Sequence, residues 1–169
     1  MFKKIFLFLI LFSLIFHNKL YANNNIAYMD LDYVINNSII GQKILKQLNN
    51  INSQNIENLK KEQSKLKKEI EEINKIKNIA SEEDFKKKVT LHNQNVKAYE
   101  NLKKKLSNDL TQKKNNEMKE LVKLINSLLE DYLKKNSIDI LLNKEIIYFA
   151  KDKYDISKAI LELTNNKYK

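Results

Sequence analysis

Asn78-Ile79-Ala80-Ser81-Glu82-Glu83-Asp84 interrupts a long helical pattern near the middle of the chain, and the reading of that interruption decides the fold. Ser81 followed by three acids has the form of a helix start. A hydroxyl can accept from a free backbone N–H, and carboxylates in the first turn answer the positive end of the helix. Upstream, Ile44, Leu45, Leu48, Ile51, Leu59, Leu66, Ile70, Ile73 and Ile76 fall mostly three, four or seven apart. Downstream, Phe85, Val89, Val96, Tyr99, Leu102, Leu106, Leu110, Leu121, Leu124, Ile125, Leu128 and Tyr132 continue in the same way. Each is a helical stripe. The first is thin in its middle, where Asn52, Asn55 and Gln63 stand in place of core residues. Such a helix packs a narrow seam and leaves its other faces in water.

If the chain reverses at the interruption, the stripes form an antiparallel hairpin whose arms are each roughly 60 Å long. Residues whose numbers sum to about 160 then lie opposite each other, so that Ile70 faces Val89 and Leu59 lies near Leu102. The alternative is one long parallel coiled coil, because the interruption contains neither Gly nor Pro.

Working outward, the apolar period changes from helical to two. Ile26 to Val34 reads as a strand, with Ala27, Met29, Leu31 and Tyr33 alternating with Tyr28, Asp30 and Asp32. Asn36-Asn37-Ser38 ends it and offers helix-capping oxygens. After Asn136, Ile138, Ile140 and Leu142 alternate with Asp139 and Leu141. Asn143-Lys144 can turn, and Glu145 to Ala150 reads as a returning strand. Asp155 can cap a last helix with the stripe Ile156, Ile160 and Leu163. The expected class is α+β. Residues 23–36 and 137–169 form a small β body, made of the N-terminal strand and a C-terminal hairpin. Residues 37–136 form the helical hairpin, with its tip near 78–84. Three strands leave edges to hide, so the body is expected to be shared between copies of the chain. Ala27, Met29, Leu31, Ile138, Ile140, Ile147 and Tyr148 are its expected oligomer core.

The first segment reads as an address. Lys3 and Lys4 precede an apolar run from Ile5 to Phe16, too short for a comfortable membrane span, and Ala22 offers a small residue at a cut. Residues 1–22 are therefore read as a cleaved signal peptide, with an uncleaved anchor as the alternative. A lipoprotein is excluded, since no Cys is available to acylate.

Composition narrows the functions. The net charge is +10, all of its cations are Lys, and there is no Cys, Pro or Trp and one glycine, Gly41. Lysine alone suits a diffuse positive field better than bidentate recognition of a carboxylate or phosphate. One glycine cannot supply a dinucleotide fingerprint or a phosphate loop. Without Cys there is no thiol nucleophile. His92, the only histidine after the signal, reads as a helix-surface or seam residue rather than a catalytic base. The acids at Glu69, Glu71 and Glu72 and at Glu82, Glu83 and Asp84 read as solvated helix faces rather than a metal cage. The chain is expected to be no enzyme, with no catalytic, metal or cofactor residue.

At both ends the sequence resembles the Skp/OmpH family. Residues 26–34 look like that family's opening strand, and Gly41-Gln42-Lys43-Ile44-Leu45-Lys46-Gln47-Leu48 like the start of its first arm. Ile138-Asp139-Ile140-Leu141-Leu142, Ile146-Ile147-Tyr148-Phe149-Ala150 and Tyr154-Asp155-Ile156-Ser157 look like its closing hairpin and helix start. The resemblance implies a periplasmic homotrimer whose strands form a shared body and whose arms surround a cavity. Unfolded outer-membrane β-barrel proteins would be held there without ATP. Many relatives carry Arg and Ala in the arms where this chain has Lys, Asn and Ile. On that reading Lys60, Lys61, Lys67, Lys68, Lys86, Lys87 and Lys88 would attract acidic unfolded chains, and Ile79 and Phe85 near the tip would add apolar contact. An envelope spacer of coiled-coil type is a second reading. A binder of anionic lipid or lipopolysaccharide is a third, while nucleic acid is not an expected partner, given no Arg and few aromatics.

Overall fold

The computed structural model describes residues 25–168. The expected signal segment, residues 1–22, lies outside them.

Strand β1 spans Ile26–Met29 and stops there. The alternation expected to reach Val34 is broken by Asp30, whose carboxylate accepts from the Tyr33 N–H at 2.8 Å and caps a short helix, α1 (Leu31–Asn37). Leu31, Val34 and Ile35 then fall three and four apart on the inward side, with Val34 fully buried. Leu31 is thus helical, not part of a strand.

Ser38 ends α1 and caps α2 (Ile39–Ile76). Its N–H donates to the Val34 carbonyl at 3.0 Å, and its hydroxyl accepts from the Gly41 N–H at 3.1 Å. The two helices meet so closely that a Cβ on Gly41 would lie 1.8 Å from the Ile35 carbonyl oxygen. The single glycine stands where nothing larger fits.

The chain reverses after α2. Ser81 caps α3 (Glu82–Lys135), its hydroxyl accepting from the Asp84 N–H at 3.1 Å and donating to the Asp84 carboxylate at 2.7 Å. The expected antiparallel hairpin is therefore present. Ser137, with φ of 51°, ends α3. The Ile138 N–H donates to the Leu133 carbonyl and the Ser137 N–H to that of Lys134, the double bond of a Schellman end.

Strand β2 (Ile140–Asn143) lies parallel to β1, pairing Ile26 with Ile140 and Met29 with Asn143. A parallel pair needs a crossover, and here the crossover is the whole helical hairpin. The other edge of β1 is met by a bridge from Tyr28 to Asp155, where the Ile156 N–H donates to the Tyr28 carbonyl at 3.0 Å. Within one chain the closing segment is thus not the expected two-stranded hairpin. The turn forms, since Asn143 accepts from the Glu145 N–H at 3.1 Å, but a 3-10 turn follows at Lys144–Ile146 and residues 147–150 pair with no strand. Only one edge partner is available for β1 beside β2, and residue 155 occupies it.

Helix α4 (Ser157–Asn166) closes the fold. The residue at its cap is Ile156, not the expected Asp155, which stands one position earlier and accepts from the Ser157 N–H at 2.9 Å. Ile156 and Ile160 are buried, but Leu163 is exposed and Thr164 takes its inward place, with its hydroxyl turned onto the Ile160 carbonyl at 2.8 Å.

The core gathers Ala27 and Met29 from β1, Val34 from α1, Ile44 and Leu48 from α2, Leu121, Ile125 and Leu129 from α3, and Ile156 and Ile160 from the C-terminal segment. Each of the larger side chains among them stabilises by roughly 1.5–3 kcal/mol on burial. The core sits at the root of the arms and rigidly fixes where they leave the body.

Candidate functional site

Beyond Leu48 the only buried apolar residue in the outer arms is Ile73, near the tip. Between them the seam is half-buried, with Ile51, Leu59 and Leu66 on α2 against Tyr99, Leu102 and Leu106 on α3. The remaining surface of both helices is in water, as the thin stripe requires. The register is close to the expected one, since Glu69 bonds residues 92 and 95 across the seam.

That crossing is the one polar layer joining the arms among the described residues. His92 Nδ1 lies 3.0 Å from Glu69 Oε2, and the Asn95 side-chain amide donates to Glu69 Oε1 at 2.9 Å. Glu69 is accordingly not the solvated acid expected from sequence, but His92 is a seam residue. The signal was available: Glu62, Glu69, His92 and Asn95 fall in phase with the apolar seam rather than against it.

The lysines singled out in the sequence are exposed. Lys60, Lys61 and Lys68 share the outer face of α2 with Lys65. Lys61 pairs with Glu57 and Lys87 with Glu83, each at 2.7 Å, exposed pairs that contribute little to stability. Lys86 is exposed beside them, Lys88 lines a groove with Leu91, and Lys67 lines another with Ile70 and Val96. Ile79 is 81% exposed at the turn, and Phe85 is half-buried. Ile70 and Val96, read from sequence as seam residues, lie at its edge and are exposed, as are Ile56 and Leu91, which were not named.

The body residues expected to form an oligomer core divide. Ala27 and Met29 are buried within the chain's own core, and Leu31 and Ile138 pack against it. Ile147 is half-buried, Ile140 is exposed, and Tyr148 has 105% of its reference surface free. Ile146 and Phe149, read as closing-strand residues but not as oligomer core, are exposed beside Tyr148. Their apolar run was legible, but which of its faces would lack a partner was not.

The Lys144 ammonium bridges two acids of the body, 3.4 Å from Asp155 and 3.9 Å from Asp30. Burial pushes the Asp155 carboxyl up. The hydrogen bonds from Ser157 and the Lys144 charge together outweigh it and hold the carboxyl below its usual range. The Ser157 hydroxyl also accepts from the Asp30 N–H at 2.9 Å, so this network ties the start of α1 to the start of α4. Its arrangement is structural. Among the described residues no cluster of three or more His, Asp or Glu is placed to hold a metal ion, and no helix is long and apolar enough to cross a membrane.

Comparison with known proteins adds a family and a fold. The family model for outer membrane protein (OmpH-like) matches residues 25–163. A solved OmpH-like protein of Caulobacter crescentus CB15, described as a candidate outer membrane chaperone, superposes with a TM-score of 0.80 at 14% identity, covering 86% of each chain. At that identity the likeness is one of fold. No curated protein sequence matches.

Proposed function

Since the chain belongs to the OmpH-like family, we propose that it is a periplasmic chaperone that holds unfolded outer-membrane β-barrel proteins between its arms without ATP. The observation that carries this reading is the arm pair itself. Two long helices share a narrow seam and display Ile56, Ile70, Leu91 and Val96 among lysines, with no body of their own to cover them. Many weak apolar contacts in a positive field suit a chain that must be held and then released. Assembly as a homotrimer is supported by the body, where Ile26, Ile140, Ile146, Tyr148 and Phe149 are exposed together with an unpaired strand edge.

The test is light scattering from an unfolded outer-membrane β-barrel diluted out of urea, with no nucleotide, with and without the chain from Asn23 onward. Suppression that saturates near one client per three chains is expected. Unchanged scattering across a wide excess of folded protein would sink the holdase and favour an envelope spacer.

A further inference from the structure

The two flanks of the arm pair differ in chemistry, and we propose that the flank bearing Ile70 and Val96 receives the client, as an extended segment carrying apolar and acidic side chains. This inference rests on the chaperone reading above and adds the face and the chemistry recognised there.

On this flank Lys67, Ile70 and Val96 line a groove of about 480 Å³ that also reaches the seam at Leu66 and His92. No carboxylate lines it. Lys67 makes no ion pair among the described residues, so its charge is open to a ligand. Ile56 stands fourteen residues before Ile70, two heptads back on α2, and is exposed as well. Fourteen helical residues rise about 21 Å, the span of about six residues of extended chain. Residues six apart in an extended chain face the same side, so one strand-like segment can set side chains on Ile56 and Ile70 together.

The opposite flank is built differently. Its grooves are smaller, about 280 and 150 Å³, and are lined by Glu62, Glu69 and Glu72. Lys65 there is engaged by Glu62 at 2.6 Å. Lys88, unpaired among the described residues, also lines the smaller of these grooves, but Glu69 and Glu72 line it too, so an acidic segment meets carboxylates on this side and an ammonium without them on the other. Leu91 makes the comparison sharp: it is 56% exposed against 39% for Ile70, yet it sits with Glu69 and Glu72. Exposure alone would choose Leu91; charge and groove shape choose Ile70 and Val96.

The experiment places a photo-crosslinking side chain at position 70, 96 or 91 of the full chain and mixes each with a urea-unfolded outer-membrane β-barrel protein. Crosslinks to client are expected from 70 and 96 at about tenfold the yield from 91. Equal yields, or a higher yield from 91, overturn the assignment of the flank while leaving the chaperone intact. No crosslink at any position, together with unsuppressed aggregation, overturns both. A second arm uses Ile70→Glu with Val96→Glu against Leu91→Glu, all at exposed positions, with helix content and assembly mass monitored. The double variant is expected to bind client about tenfold more weakly and the Leu91 variant to bind as the parent does. The reverse order overturns the inference.

Discussion

Three residues carry backbone or electrostatic roles that substitution can isolate. Gly41→Ala would drive a methyl into the Ile35 carbonyl, and since the obstacle is backbone, α1 and α2 must separate. The expected loss is about 1–3 kcal/mol in chemical denaturation, as for other overpacked sites. Ser137 is the opposite case, a side chain in left-handed backbone where glycine is preferred. Ser137→Gly should stabilise by about 0.5–1 kcal/mol, read as a raised urea midpoint, because the bond from Asn25 goes to the main-chain carbonyl and survives. Asp155 titrates with folding. Its carboxyl is held below the usual range, so its contribution is present above the pH where an unfolded aspartate ionises and is lost as pH falls through the lower folded value. Asp155→Asn should lower stability at neutral pH and flatten this acid limb, measured by denaturation across pH 2 to about 6. Of the caps, Ser38 and Ser81 were legible because each follows a break in the apolar pattern, whereas Asp155 was read one residue too early, its carboxylate bonding the Ser157 N–H from outside the cap position. Asp30 was not, because Ala27, Met29, Leu31 and Tyr33 alternate through it and hide the helix that starts there.

At the scale of elements, the arms were legible and the sheet only in part. A seam repeated over tens of residues marks two long helices, and the Ser81 cap with its acids favours the reversal over one continuous coiled coil. A four-residue strand offers too few alternations to fix its end or its partner, and nothing in Ile140-Leu141-Leu142 says that it runs parallel to β1. The charge asymmetry of the flanks was illegible for another reason: it depends on which arm residues become neighbours across the seam. Packing also differs along the arms. Ile125 is fully buried at their root, whereas Leu59 is half-buried in the thin middle. Ile125→Ala should cost about 2–5 kcal/mol and Leu59→Ala about 1 kcal/mol, compared by urea denaturation. A similar cost at both sites would mean that the arm middle is as firmly packed as the root.

For the whole molecule, the closing segment is where the fold meets the proposed assembly. Tyr148 and Phe149, with 105% and 84% of their surfaces free, contribute little to packing within one chain. The double variant Tyr148→Ser with Phe149→Ser should therefore keep the helix content and break the proposed trimer, giving one-chain mass in sedimentation. An unchanged mass would remove this segment from the interface. The parallel pairing of β1 with β2 bears on the order of events when the protein first folds. Asn25 and Asp139, which bond at the start of the sheet, are 114 residues apart. Closing so long a loop before anything else has formed is entropically slow. Zippering from the turn next to Ser81 makes only local contacts and delivers the two distant segments to each other. A chain that emerges from its N-terminus thus shows a partnerless first strand until nearly all of it has been made. On the proposed reading, a holder of unfolded chains is itself, during that interval, an unfolded chain with an edge to protect.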